Sequence, residues 1–179
     1  RRVTLKNQIN RLTGTTGEEG NLFDFEEAFW LDPISIYVKI REDFIEQAEQ
    51  LFSFIAAQGY GKRKSVGYGE IKSHLFKAFD GFGYSPGANG FVSLSNFAPA
   101  EGDPIEGTWQ TIVKYGKLGE EYAIGGNPFK RPLLMFTAGS TFYDAPCQEY
   151  YGRMVKDIAP AHPDIVQYGL AFPVPIKLL

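Results

Sequence analysis

Cysteine is nearly absent from this chain of 179 residues: Cys147 stands alone. One thiol cannot close an intrachain disulfide or build a cysteine zinc site, so a reducing, cytoplasmic setting is expected. Histidine is as scarce, with only His74 and His162, which argues against a histidine metal cluster. No long uncharged apolar run is present, so no membrane span is expected. The opening RRVTLKNQINR has no apolar segment of signal-peptide length. It also has no Met and begins in a polar basic stretch, so the expectation is a piece of a longer protein. There is no internal repeat and no low-complexity segment.

What is present points to an ordinary core with many turns. Hydrophobic residues make up 44% and charged residues 22%, a normal globular balance. Aromatics reach 15%, and 20 Gly and 11 Pro favour a β-rich fold. The net charge of −3 excludes a general polyanion binder. The charge is unevenly placed, however. Arg1, Arg2, Lys6 and Arg11 fall in a segment without acids, and Glu18, Glu19, Asp24, Glu26, Glu27 and Asp32 follow. A basic stripe beside an acidic segment suggests a local anionic ligand.

Residues 11–23 (RLTGTTGEEGNLF) read as a loop, and ISIYVKI (34–40) reads as a strand. Phe44, Ile45, Ala48, Leu51, Phe52 and Ile55 recur at helical spacing, which predicts an amphipathic helix from about Glu42 to Gln58. Glu42 and Asp43 suit the positive end of its dipole, and Gly59 suits the position after its C-cap. GEIKSHLF (69–76), GFVSLSNF (90–97), TWQTIVKY (108–115), RPLLMFTAGSTF (131–142) and VQYGLAFPVPI (166–176) read as strands. YYGRMVKDI (150–158) reads as a strand in preference to a helix. One helix among antiparallel strands predicts an α+β fold, best matched by a ferredoxin-like (RRM-like) sheet with additional β-hairpins. The chain is expected to be one domain over 1–179, with a basic, Thr-rich segment and acidic loop at 1–33.

The stretch GYGKRKSVGYG (59–69) is the chief candidate site. Its pattern GxGx₅GxG arises by chance in roughly a few per cent of chains this rich in glycine. A P-loop needs a strand before it, a helix after it and Gly-Lys-Ser/Thr at its end. Here a helix precedes, a strand is expected to follow, and the residues read Arg63-Lys64-Ser65. The helix end at the loop is the negative one, so no dipole greets a phosphate. A dinucleotide or kinase loop fails for want of a third glycine after Gly67-Tyr68-Gly69. What remains is a bare backbone with Lys62, Arg63 and Lys64 between Tyr60 and Tyr68. Cations grip phosphates and tyrosines stack on bases, which is the chemistry of a single-stranded nucleic acid. A solvated basic cluster beside a helix C-terminus is the plainer alternative.

GYGKRKSVGYG between a helix and a strand resembles the glycine-rich loop of the RAMP superfamily of CRISPR proteins. NQINRLTGTT (7–16), VSLSNFAP (92–99), KYGKLGEEYA (114–123) and PFKRPLLMFTAGSTF (128–142) narrow the resemblance. Together they are similar to the crRNA tag-binding subunit family of the type III-A (Csm) interference complex, the fourth Csm subunit. The resemblance is spread over most of the chain. It implies a two-part protein of ferredoxin-like modules, of which this chain holds the later part. It also implies a non-catalytic subunit without cofactor. That subunit holds the 5′ tag of crRNA, docks the large polymerase-like subunit and neighbours the backbone RAMP subunit. Gly59, Gly61, Lys62, Arg63, Lys64, Ser65, Gly67 and Gly69 match the family's glycine loop, and Tyr60 and Tyr68 lie within it. Arg11, Thr13, Gly14, Thr15 and Thr16 match its threonine-rich loop.

Two alternatives stay open: a metal-independent repeat endoribonuclease of the same superfamily, and a scaffold without RNA contact. A nuclease would use His74 as general acid or base. On an alternating strand, however, His74 shares the face of Lys72 and reads as solvated. His162 sits in a proline-flanked loop, and Cys147 reads as structural. Ser140 lacks the G-x-S-x-G context of a hydrolase nucleophile. Trp30 and Trp109 read as core or interface anchors. The acidic run 18–32 lacks calcium-loop spacing.

Overall fold

A computed structural model describes residues 1–7, 9, 11–16, 22–30, 32–61, 64, 67–83, 85–119, 122 and 127–179. The chain divides into two compact units, Arg1–Ile45 and Glu46–Leu179. The fold is α+β, with one α-helix and antiparallel strand pairs among the described residues.

In the first unit, β1 (Arg2–Asn7) and β2 (Leu22–Glu27) form a hairpin, in register from Arg2↔Glu27 to Asn7↔Leu22. The pairing sets the basic strand against the acidic one. Arg1 meets Glu26 at 3.2 Å, and the Lys6 ammonium lies 4.3 Å from the Phe25 ring centre. The basic stripe expected to face a ligand is thus partly balanced by its own hairpin. The ion pair is exposed and stabilises by about 1 kcal/mol or less.

ISIYVKI forms no strand. A strand exists only when a neighbour supplies its ladder. Ile34, Ile36, Val38 and Ile40 all remain exposed. A 3₁₀ turn follows at Glu42–Phe44, and α1 runs from Ile45 to Gln58, the span that the periodicity predicts. Arg41 precedes the turn with extended backbone and bonds Asp43 through its guanidinium. Glu42, Asp43 and Glu46 lie at the positive end of the dipole.

In the second unit, α1 half-buries Ala48, Phe52, Ile55 and Ala56, while Leu51 and Phe54 are exposed. The segment 69–76, expected as a strand, forms none. It instead lies along α1: the Phe76 ring meets Phe52 at 6.3 Å, and His74 Nε2 lies 3.3 Å from Ser53 Oγ. The His74 and Phe76 side therefore meets the helix, and Leu75 points to solvent at 76% exposure. Leu75, expected on the inner face, thus faces outward, while His74 is exposed as its solvated reading expects.

The body of this unit is a four-stranded antiparallel sheet in the order β4 (Gly107–Thr108), β7 (Thr141–Tyr143), β3 (Gly90–Ser93), β8 (Pro173–Ile176). The prolines explain why β8 is an edge, since Pro173 and Pro175 cannot donate to a further neighbour. A separate pair joins β5 (Thr111–Lys114) to β6 (Leu133–Phe136). The two long strands expected at 108–115 and 131–142 each break in two. They form one hairpin that bends from the four-stranded sheet into the pair. At the bend, Ser140 is buried, its Oγ accepts from Gln110 N–H, and Gln110 O accepts from Thr137 N–H. Segment 150–158 forms only bridges, Gly152↔Leu170 and Val155↔Gln167, and no helix.

The core is built on aromatic rings, although many other aromatics stay exposed. Phe91 stacks on Tyr151 at 4.0 Å and on Phe142 at 5.4 Å, and Phe97 and Phe136 complete the cluster. A second cluster gathers Leu118, Leu133, Met135, Val155 and Ile158. Each large side chain so buried contributes about 1.5–3 kcal/mol.

Candidate nucleic-acid interface

The glycine loop begins where α1 stops. Gly59 takes φ +78° and so ends the helix in the left-handed region. Gly61, Gly67 and Gly69 also take positive φ, at +110°, +88° and +74°. Tyr60 N–H donates to Gly69 O at 2.8 Å and closes the loop at its neck. That closure is the reason for Gly69: a Cβ there would lie 1.7 Å from Tyr60 O. Within the loop, Gly67 N–H donates to Lys64 O at 3.3 Å. The sequence pattern GxGx₅GxG thus becomes a necked loop that only glycine at these positions permits without strain.

The neck brings Gly59, Tyr60, Gly61, Lys64, Gly67, Tyr68 and Gly69 together. Lys64 is exposed, Tyr60 is 73% exposed, and Tyr68 is half-buried. Lys62, Arg63 and Ser65 lie outside the described residues. Arg11, Thr13, Thr15 and Thr16 form an exposed turn in the first unit. There Gly14 has φ +68° and the Thr13 and Thr15 hydroxyls lie 2.9 Å apart.

The remaining candidates divide clearly. His74 is exposed beside Ser53 and packs on Phe76 at 5.3 Å. His162 packs edge-on against Tyr122 at 5.2 Å. Trp30 is 75% exposed, not core, whereas Trp109 packs on Phe136 and donates to Ile105 O. Cys147 Sγ lies 3.2 Å from Gly90 O and 3.3 Å from Asp144 O, and its one S–H is shared between these two acceptors. Burial first, then the Asp144 carboxylate, raise its thiol above the ordinary value, so it is a poor nucleophile at neutral pH. Tyr151, next to it, donates to Asp144 Oδ2 at 2.6 Å and accepts from Gln148 N–H. Burial and that bond to Asp144 lift the phenol well above its ordinary value. This network is internal and holds the turn before Tyr151 to the core. Among the described residues no group of three His, Cys, Asp or Glu side chains is placed to hold a metal ion. None of their helices is long and apolar enough to cross a membrane.

No protein-family model matches the chain, and no curated protein matches it significantly.

Proposed function

We propose that this chain is a non-catalytic RNA-binding subunit of a type III-A CRISPR effector. In this reading it holds the 5′ tag of crRNA and docks the large polymerase-like subunit and the backbone RAMP subunit in the cytoplasm. The observation that carries the reading is the necked loop: four left-handed glycines shape a loop on which Lys64 and Tyr60 are exposed. An exposed cation and an exposed ring suit a strand with splayed bases. A ferredoxin-like module is part of this reading on the sequence resemblance alone, since segments 34–40 and 69–76 on either side of α1 and the loop form no strands. The exposed Ile34, Ile36, Val38 and Ile40 supply apolar edge for a partner subunit.

The test is a photo-crosslink from guide RNA in the assembled complex, mapped by peptide mass. Crosslinks within 59–69 are expected. Crosslinks to the complex that skip this chain favour a scaffold without RNA contact.

A second reading has one observation behind it, the pairing of His74 with Ser53. A metal-independent endoribonuclease would cut repeat RNA without magnesium and lose that activity in His74→Ala. Intact repeat RNA after incubation with the unmodified protein disposes of it.

A further inference from the structure

The β5–β6 hairpin carries a feature unrelated to the glycine loop. Lys114, Lys130 and Arg131 line one small notch together with Gly116, Leu133, Ile158 and Gln167. Among the described residues, the lining holds three cations and no acid. Local bonds fix the arrangement. Lys130 N–H donates to Gly116 O at 2.9 Å, and Arg131 N–H donates to Ile158 O at 2.8 Å. Lys130 Nζ donates to Gln167 Oε1 at 3.4 Å. Gly116 leaves the room that the Lys130 stem occupies, since a Cβ there would lie 2.9 Å from Lys130 Cδ. Three cationic residues on one small surface feature give it a positive local potential, which favours an anion there.

The notch has a volume of about 10 Å³, room for one ligand oxygen and not for a whole small molecule. Exposed aromatics lie beside it in sequence: Tyr115 at 75% and Phe129 at 60%. The Lys117 ammonium lies 5.8 Å from the Phe129 ring centre. Cations interleaved with exposed rings are the pattern that tracks a single strand, with phosphates on the charges and bases on the rings.

We infer that this notch seats a backbone phosphate of single-stranded RNA, a second contact apart from the glycine loop. The inference rests on the RNA-binding reading and adds a second point on the strand's path.

The test measures anisotropy of a fluorescein-labelled single-stranded RNA of mixed sequence with the full chain, across a salt series. Three proteins are compared: unmodified, Lys114→Gln with Arg131→Gln, and Lys62→Ala with Arg63→Ala and Lys64→Ala. The notch variant is expected to bind about tenfold more weakly, with a salt slope smaller by about 0.7, the value for one phosphate contact on a single strand. Lys114→Glu alone, at an exposed strand position, repeats the measurement should the double variant unfold. An unchanged affinity and slope in the notch variants, with a loss in the loop variant, overturns the notch and leaves the function reading standing. No RNA binding by the unmodified chain overturns both. A Tyr115-region NMR shift on adding inorganic phosphate, without an RNA effect in the notch variants, assigns a small-anion site instead and overturns the strand contact.

Discussion

Gly69 and Tyr151 show how much single residues decide here. At Gly69 the left-handed φ and the 1.7 Å approach of Tyr60 O coincide. Gly69→Ala must therefore open the neck, at a cost of about 1–3 kcal/mol in urea unfolding. Gly61→Ala meets no neighbour within 4 Å and bears only the strain of its φ, so about 1 kcal/mol is expected. Tyr151 links pH to stability. Its folded-state pKa lies above the ordinary phenol value near 10. Its contribution is thus whole below about pH 10 and is lost as pH rises toward the folded value, because the unfolded phenol ionises first. Tyr151→Phe should flatten that alkaline fall, read as Tm against pH. It should also cost about 1–3 kcal/mol at neutral pH, because Gln148 N–H and Asp144 lose their partner.

At the scale of elements, α1 was legible because its 3.6-residue spacing and its stop at Gly59 are local properties of the chain. The glycine loop was legible in part for the same reason, since positive φ is written as glycine. The segments 34–40 and 69–76 were misread as strands. Alternation states that a segment suits a sheet, but only a partner makes one, and no local pattern names the partner. The bent hairpin was read as two long strands because its corner is a tertiary bond set, Gln110 with Thr137 and Ser140. The notch of Lys114, Lys130 and Arg131 is invisible to spacing, because the cross-hairpin pairs Lys114↔Leu133 and Lys130 N–H to Gly116 O place Lys114 on the same notch as the adjacent Lys130 and Arg131. The exposure along α1 gives a test of its packing. Phe52→Ala should destabilise by about 1–3 kcal/mol, while Leu51→Ala should stay within about 0.5 kcal/mol. Chemical denaturation of the two variants, compared at equal m, decides this.

For the whole molecule, both buried clusters belong to the second unit. A chain of residues 46–179 is expected to unfold cooperatively, within about 4 °C of the full chain by calorimetry. A broad, low transition would show that the first unit is needed for the core. The proposed function depends on that core only as a platform. Its chemistry rests on the basic loop that α1 and the Tyr60–Gly69 neck hold out. The most direct measurement is RNA affinity of the full chain against salt, with Lys62, Arg63 and Lys64 changed to Ala. A loss of about tenfold or more, with a slope smaller by about 2, is the predicted result. Equal affinity and equal slope in the two proteins would contradict the assignment of the glycine loop to RNA.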